Sequence, residues 1–249
     1  MNTHFKKIDA CAFLGESLYG NSVAESTLLA QLNTYKIDKA IIRPLKPCDY
    51  NYDNANKYIA QVAKKYPTKL IGFGRVNPLE KSAPQQIAAI VEYGLSGVHL
   101  HPWEDNFCIN SPQIYDTICA CENNNLPIYV STGYPNVSEP LQLMETALAF
   151  PNTTLIATHG GQLDMSGLSF DDALKTAQMC KNVKFDLSGV YRRDFIESLI
   201  ETAGESNVIF GSCYPYMDIS LEIARIEAAE ISDIAKSRLF SKNIEDILA

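Results

Sequence analysis

Positive charge is scarce in this chain. Its 249 residues hold 21 lysines and arginines against 29 aspartates and glutamates, a formal net charge of −8. Nucleic acid and anionic membranes both demand a basic face, so neither is expected as a partner. No apolar run reaches the ~18 residues of a transmembrane helix, so no membrane span is expected. The opening Met1-Asn2-Thr3-His4-Phe5-Lys6-Lys7 has no apolar core of a signal peptide. A cytoplasmic protein is expected, with its seven cysteines as thiols and not as a disulfide framework. Linkers and low-complexity stretches are missing too, so residues 1–249 read as one domain. Histidine is limited to His4, His99, His101 and His159. His4 reads as a solvated terminal residue, which leaves three imidazoles for chemistry.

What is present is alternation. Strand patterns fall at Lys7–Phe13, Lys39–Arg43, Leu70–Val76, Gly97–His101, Pro127–Ser131, Thr154–His159, Val183–Ser188 and Val208–Cys213. Helical patterns follow each, at about Val23–Tyr35, Asn54–Tyr66, Pro84–Tyr93, Pro112–Asn123, Glu139–Phe150, Phe170–Lys181, Asp194–Ala203 and Ile219–Ile231. Asp218 is placed to cap the eighth helix, and an extra helical stretch covers about Ser232–Leu248. Eight strand–helix units in a chain of this length predict an α/β fold, a single (β/α)8 TIM barrel with an extra C-terminal helix. An open doubly wound sheet is the alternative, but it normally has fewer strands.

A barrel places its chemistry at the C-terminal ends of its strands. Those ends are polar here: Arg43, Arg75, His99, His101, Ser131, His159, Asp186, Ser188 and Cys213. Side chains alternate along a strand. Val98 and Leu100 then face the helices while His99 and His101 face the barrel axis. The same parity turns Asp9, Cys11, Phe13, His159 and Cys213 inward.

These strand ends carry a resemblance. Gly97-Val98-His99-Leu100-His101-Pro102 resembles a Gly-x-Lys-x-His-Pro segment. Leu126–Gly133 resembles Leu-Pro-Val-x-x-His-Thr-Gly, and Leu155–Gly161 resembles a strand 6 His-x-Gly segment. Asn182–Gly189 resembles Asn-Val-x-x-Asp-x-Ser-Gly, Phe210–Pro215 resembles Phe-Gly-Ser-Asp-x-Pro, and Arg238–Leu248 resembles a closing Ile-x-x-x-Asn-x-x-x-Leu-Leu. The set is similar to the amidohydrolase-related family, in the branch of aminocarboxymuconate-semialdehyde decarboxylase and related hydrolases. The resemblance implies one or two divalent metals held by histidines on strands 1, 5 and sometimes 6 and by an Asp on strand 8. This chain has Cys11, Phe13, Ser131, His159 and Cys213 there, so only His159 is retained. Phe13 has no lone pair to offer a metal.

Three readings follow. A rebuilt site would use Cys11, His99, His159 and Cys213 to hold a single zinc ion, at the ~2.0–2.3 Å of thiolate and imidazole ligands. A metal-free site would use His159 as acid and base with Cys213 and Cys11 as thiol groups. Arg75, His99, His101, Ser131, Asp186 and Tyr214 would then bind substrate, with Tyr134 and Tyr191 also at the mouth. A non-catalytic descendant would keep the pocket for a small ligand or a protein partner. The leading expectation is a divergent hydrolase for a small, carboxylated substrate, with no cofactor or one zinc; a homo-oligomer is left open. Blander roles stand beside these. Cys11 and Cys213 also suit plain core filling. Arg43 and Arg75 also suit pairing with Asp9 or Asp186, and Trp103 suits a loop anchor as well as a platform. Cys48, Cys108, Cys119, Cys121 and Cys180 have no assigned role.

Overall fold

Strand β1 (Ile8–Glu16) begins as an unbroken buried run, the signature of a strand covered on both faces. It pairs in parallel with β3 (Lys39–Pro44), which pairs with β4 (Leu70–Gly72). A short antiparallel partner, β2 (Ser22–Val23), extends β1 into a hairpin that the alternation did not predict. The computed structural model describes residues 5–163 and 168–249, so His4 lies outside the described residues.

The expected third strand is broken. It runs as β4 and then β5 (Gly74–Arg75), interrupted at Phe73. Phe73 N donates to Ile42 O and Gly74 N to Gly97 O, so each half serves a different neighbour. Parallel pairing continues through β6 (Val98–Leu100), β7 (Ile128–Val130), β8 (Leu155–Ala157), β9 (Val183–Asp186) and β10 (Val208–Ile209). The ring returns to its start beyond β10. Ala10 N donates to Phe210 O, Phe13 N donates to Tyr214 O, and Ala12 bridges Tyr214. Asp9 reinforces this seam by accepting from Ser212 N at 2.8 Å and from Ser212 Oγ at 2.5 Å. The architecture is the (β/α)8 barrel that the alternation predicted.

Helices cover the outside where period and caps predicted them. Asp218 caps the helix Ile219–Ala228 by accepting from Ser220 N and Leu221 N. The closing stretch forms helical turns through Asp233–Ser237 and Asn243–Leu248. Among the described residues no helix is long and apolar enough to cross a membrane. One short helix, Pro102–Asp105, was not predicted. His101 caps it, with its ring nitrogen Nδ1 accepting from Glu104 N at 3.3 Å.

Candidate active site

A cavity of about 230 Å³ opens at the strand C-terminal ends. Phe13, Tyr134 and Tyr216 give it aromatic walls; His101, His159, Ser131, Glu104 and Cys213 give it polar ones. Strand-end residues line it, but its membership differs from expectation.

His159 stands where expected, directly after β8. Its φ of 57° and that of Cys213, 53°, lie in the left-handed region that side chains other than glycine avoid. Two such residues in one cavity mark a site where backbone comfort gives way to side-chain placement. His159 Nδ1 lies 2.8 Å from Ser188 O. A carbonyl only accepts, so Nδ1 carries the proton and Nε2 keeps a lone pair. Burial lowers the pKa of this ring against the opposing pull of the Ser188 carbonyl and of Asp186. His159 is therefore a neutral imidazole at neutral pH.

Arg75 does not face the cavity as a clamp for substrate. Its Nη1 lies 2.7 Å from Glu104 Oε2 and its Nη2 2.8 Å from Asp105 Oδ2, with the arginine only 1% exposed. Lys46 and Tyr52 complete this cluster on Asp105. Its carboxylates come from the helix Pro102–Asp105, and neither is Asp9 or Asp186. Sequence reading missed Glu104, although Pro102 with Glu104 and Asp105 in the same turn is a helix-start signal. Arg43 also departs from the expected pairing. It lies over the Tyr129 ring at 3.6 Å and donates to Ala10 O at 2.6 Å, while its Nε and Nη1 have no partner. The ring face supplies the negative field that a carboxylate was expected to supply.

Three further expectations are corrected. Asp186 is fully buried, held by Tyr129 Oη and by Ser188 N and Oγ, so it orients neighbours instead of touching substrate. Tyr214 packs against the core and leaves the wall to Tyr216, two residues on. Cys11 is buried and absent from the cavity wall. Burial, then its contact with Cys213, pushes its thiol well above the ordinary range, opposite to a thiolate nucleophile. His99 is buried behind the wall, its Nε2 2.9 Å from Ser131 Oγ and its Nδ1 unpartnered. Trp103 is 59% exposed and stacks on Tyr134 with ring centroids 5.9 Å apart.

The residues present do not fit a metal. Among the described residues no three His, Cys, Asp or Glu side chains converge to hold one. The expected zinc quartet of Cys11, His99, His159 and Cys213 is not assembled. His99 is engaged by Ser131, Cys11 keeps its proton, and Phe13 and Ser131 offer nothing a zinc ion favours.

The buried imidazoles set an acid limit on the fold. Burial lowers His99 and His101 well below 6.5, helped by Arg43 and Arg75 beside His99 and by Arg75 and His159 beside His101. His159 is lowered as well. The unfolded chain then binds protons that the folded state resists. Stability is complete above pH 6.5 and falls below it, by ~1.4 kcal/mol per pH unit for each histidine. Asp9 works in the opposite sense. Burial raises its carboxyl to about 6, so protonation there favours the fold as pH drops. Glu222, pushed up to about 7 by burial, acts in the same sense as Asp9, and three histidines outweigh these two carboxyls. Urea unfolding from about pH 7.5 to about pH 5 is expected to show a net loss of stability, steepest just below pH 6.5 and shallower below about 6, where Asp9 takes up its proton. His99→Phe, which keeps the ring packing on Phe13, is expected to flatten that slope by about one proton. A flat profile in the unaltered protein contradicts the neutral, buried state of these rings.

Comparison with known proteins places the chain. A family model described as amidohydrolase matches residues 50–249. No curated protein sequence matches the chain. Among solved structures, 5-carboxyvanillate decarboxylase from Sphingomonas paucimobilis superposes with a TM-score of 0.80 at 17% identity, covering 98% of this chain and 99% of that one. The 2,6-dihydroxybenzoate decarboxylase from Rhizobium gives 0.77 at 14% identity, covering 98% and 99%. The dihydroxybenzoic acid decarboxylase from Polaromonas sp. JS666, solved with manganese and 2-nitroresorcinol, gives 0.79 at 13% identity, covering 98% and 97%. Likeness at these identities carries the fold alone.

Proposed function

Because the chain belongs to the amidohydrolase family yet shows no donor set for a metal among the described residues, we propose that it is a metal-independent hydrolase for a small carbonyl compound. The observation that carries this reading is His159. It is retained at its strand end, held neutral, and offers an unprotonated Nε2 at a cavity lined by aromatic rings. Nε2 takes a proton from water as the water oxygen bonds to the substrate carbonyl carbon. The bond to the leaving group then breaks, and the imidazolium returns its proton to that group. Cys213 contacts substrate from the position of the family's Asp, and Cys11 supports it from behind. The reacting part of the substrate is uncharged, because the described residues that line the cavity include no lysine or arginine.

The test is turnover by chelator-treated protein on three probes: p-nitrophenyl acetate, dihydrocoumarin and 2,6-dihydroxybenzoate. Hydrolysis of an ester or lactone that survives chelation, and does not rise with added manganese or zinc, is the expected result. Activity that appears only with metal overturns the reading. Turnover of 2,6-dihydroxybenzoate alone replaces hydrolysis with decarboxylation. Saturable binding without turnover replaces it with a ligand pocket that has lost its chemistry.

A further inference from the structure

Two imidazoles line one cavity, and backbone groups hold them in opposite tautomers. At His159 the Ser188 carbonyl, an obligate acceptor, fixes the proton on Nδ1 and leaves Nε2 as an acceptor. At His101 the donor is Glu104 N, an obligate donor, so Nδ1 must accept and the proton sits on Nε2. The cavity thus receives a lone pair from one ring and an N–H from the other. The rings are near enough that His159 lowers the pKa of His101. Both tautomers are set by the main chain, at Ser188 just beyond β9 in one case and on the first turn of the helix Pro102–Asp105 in the other.

Charge and shape narrow the ligand further. Glu104 is the carboxylate in the wall, and Arg75 already neutralises it at 2.7 Å. His101 Nε2 lies 3.9 Å from Glu104 Oε1, which supports a proton on that nitrogen. Phe13, Tyr134 and Tyr216 present ring faces and edges, and Tyr134 lies 5.3 Å from His101 between centroids. Such walls favour a flat partner.

We propose that this cavity selects an uncharged, planar molecule whose edge carries a hydrogen-bond donor beside an acceptor, as in a cyclic amide. The ligand N–H meets His159 Nε2 and the ligand carbonyl meets His101 Nε2–H. His101 donates a hydrogen bond here and keeps its proton, because a neutral imidazole that lost one would become an imidazolate. The proposal rests on the reading of this cavity as the substrate pocket and adds a class of ligand: its N–H occupies the lone pair that Nε2 offers to water, so such a molecule blocks hydrolysis, whereas an ester or lactone, which has no N–H, leaves Nε2 free for water. It also assigns His101 a positioning role at the carbonyl oxygen, where negative charge grows during attack by water.

The test uses protein labelled with 15N at histidine, whose four imidazoles are resolved by NMR and assigned with His101→Asn and His159→Asn. The free protein at neutral pH is expected to show the Nδ1–H form for His159 and the Nε2–H form for His101. Adding 2-pyridone is expected to shift both Nε2 resonances. N-methyl-2-pyridone, which has lost the donor, is expected to bind at least tenfold more weakly, and benzoate no better than that. The same tautomer in both rings overturns the proposal. Equal binding of 2-pyridone and its N-methyl derivative overturns it as well. Because tautomers and probe binding are read without turnover, a failure here leaves the hydrolase test standing, and a failure of hydrolysis leaves these signals intact.

Discussion

His159→Gly is expected to lower the kcat/KM of the hydrolytic reaction by about 10²- to 10⁴-fold, the usual worth of a positioned general base. Glycine is the right replacement because the position has a φ of 57°, which glycine adopts without cost. The backbone at the end of β8 is then preserved while the imidazole is removed. The space left behind is shaped for imidazole itself. Added imidazole is therefore expected to restore part of the lost rate, with a pH dependence that follows the added base. Unchanged turnover in the variant would remove His159 from the chemistry. A loss that imidazole cannot rescue, with unfolding midpoints unchanged, would make the ring a positioning group and return the proton transfer to another residue.

The barrel was legible because its signals are local. Apolar strand runs and helical periods recur eight times, and each is decided within a few residues. The rings of Phe13, His99 and His101, which parity put on one side, lie in contact with centroids 5.8 Å and 5.7 Å apart. Depth and partner were not legible, since both depend on neighbours far away in the chain. Arg43 illustrates this. Its place at the end of a strand followed from the local pattern, but its partner is the face of Tyr129 on β7, not a carboxylate. Phe73 is another case. Its ring fills the space beside Gly97 where a Cβ would clash at 2.3 Å, a packing relation that splits the third strand and has no mark in the local pattern. Cys11 and Cys213 read alike in sequence, but one is sealed behind the wall and the other forms it. The tautomers of His101 and His159 were the least legible feature, because each is set by one backbone atom on another segment or turn.

Arg75→Ala is expected to destabilise the fold by about 3–5 kcal/mol, the cost of breaking a buried ion pair by removing one member. The arginine is 1% exposed and satisfies two carboxylates, Glu104 at 11% and Asp105 at 2% exposure. Burial pulls its pKa down, but Asp105, Tyr52 and Glu104 together raise it above the usual value. Without it, Asp105 retains Lys46 at 3.2 Å while Glu104 retains only His101 at 3.9 Å. Glu104 is thus the group left most exposed to desolvation cost, and it forms part of the cavity wall. Arg75→Lys is expected to fall between, since one ammonium cannot bridge two carboxylates in the planar geometry of a guanidinium. Urea unfolding of the three proteins near neutral pH checks the order. The triple change Arg75→Met, Glu104→Gln, Asp105→Asn is expected to recover much of the loss, because it removes the charges along with their partner. If the single alanine variant unfolds at the same urea concentration as the parent, the cluster contributes nothing to the fold. Its carboxylates would then be free to meet substrate, and the uncharged character assigned to the cavity would fall with it.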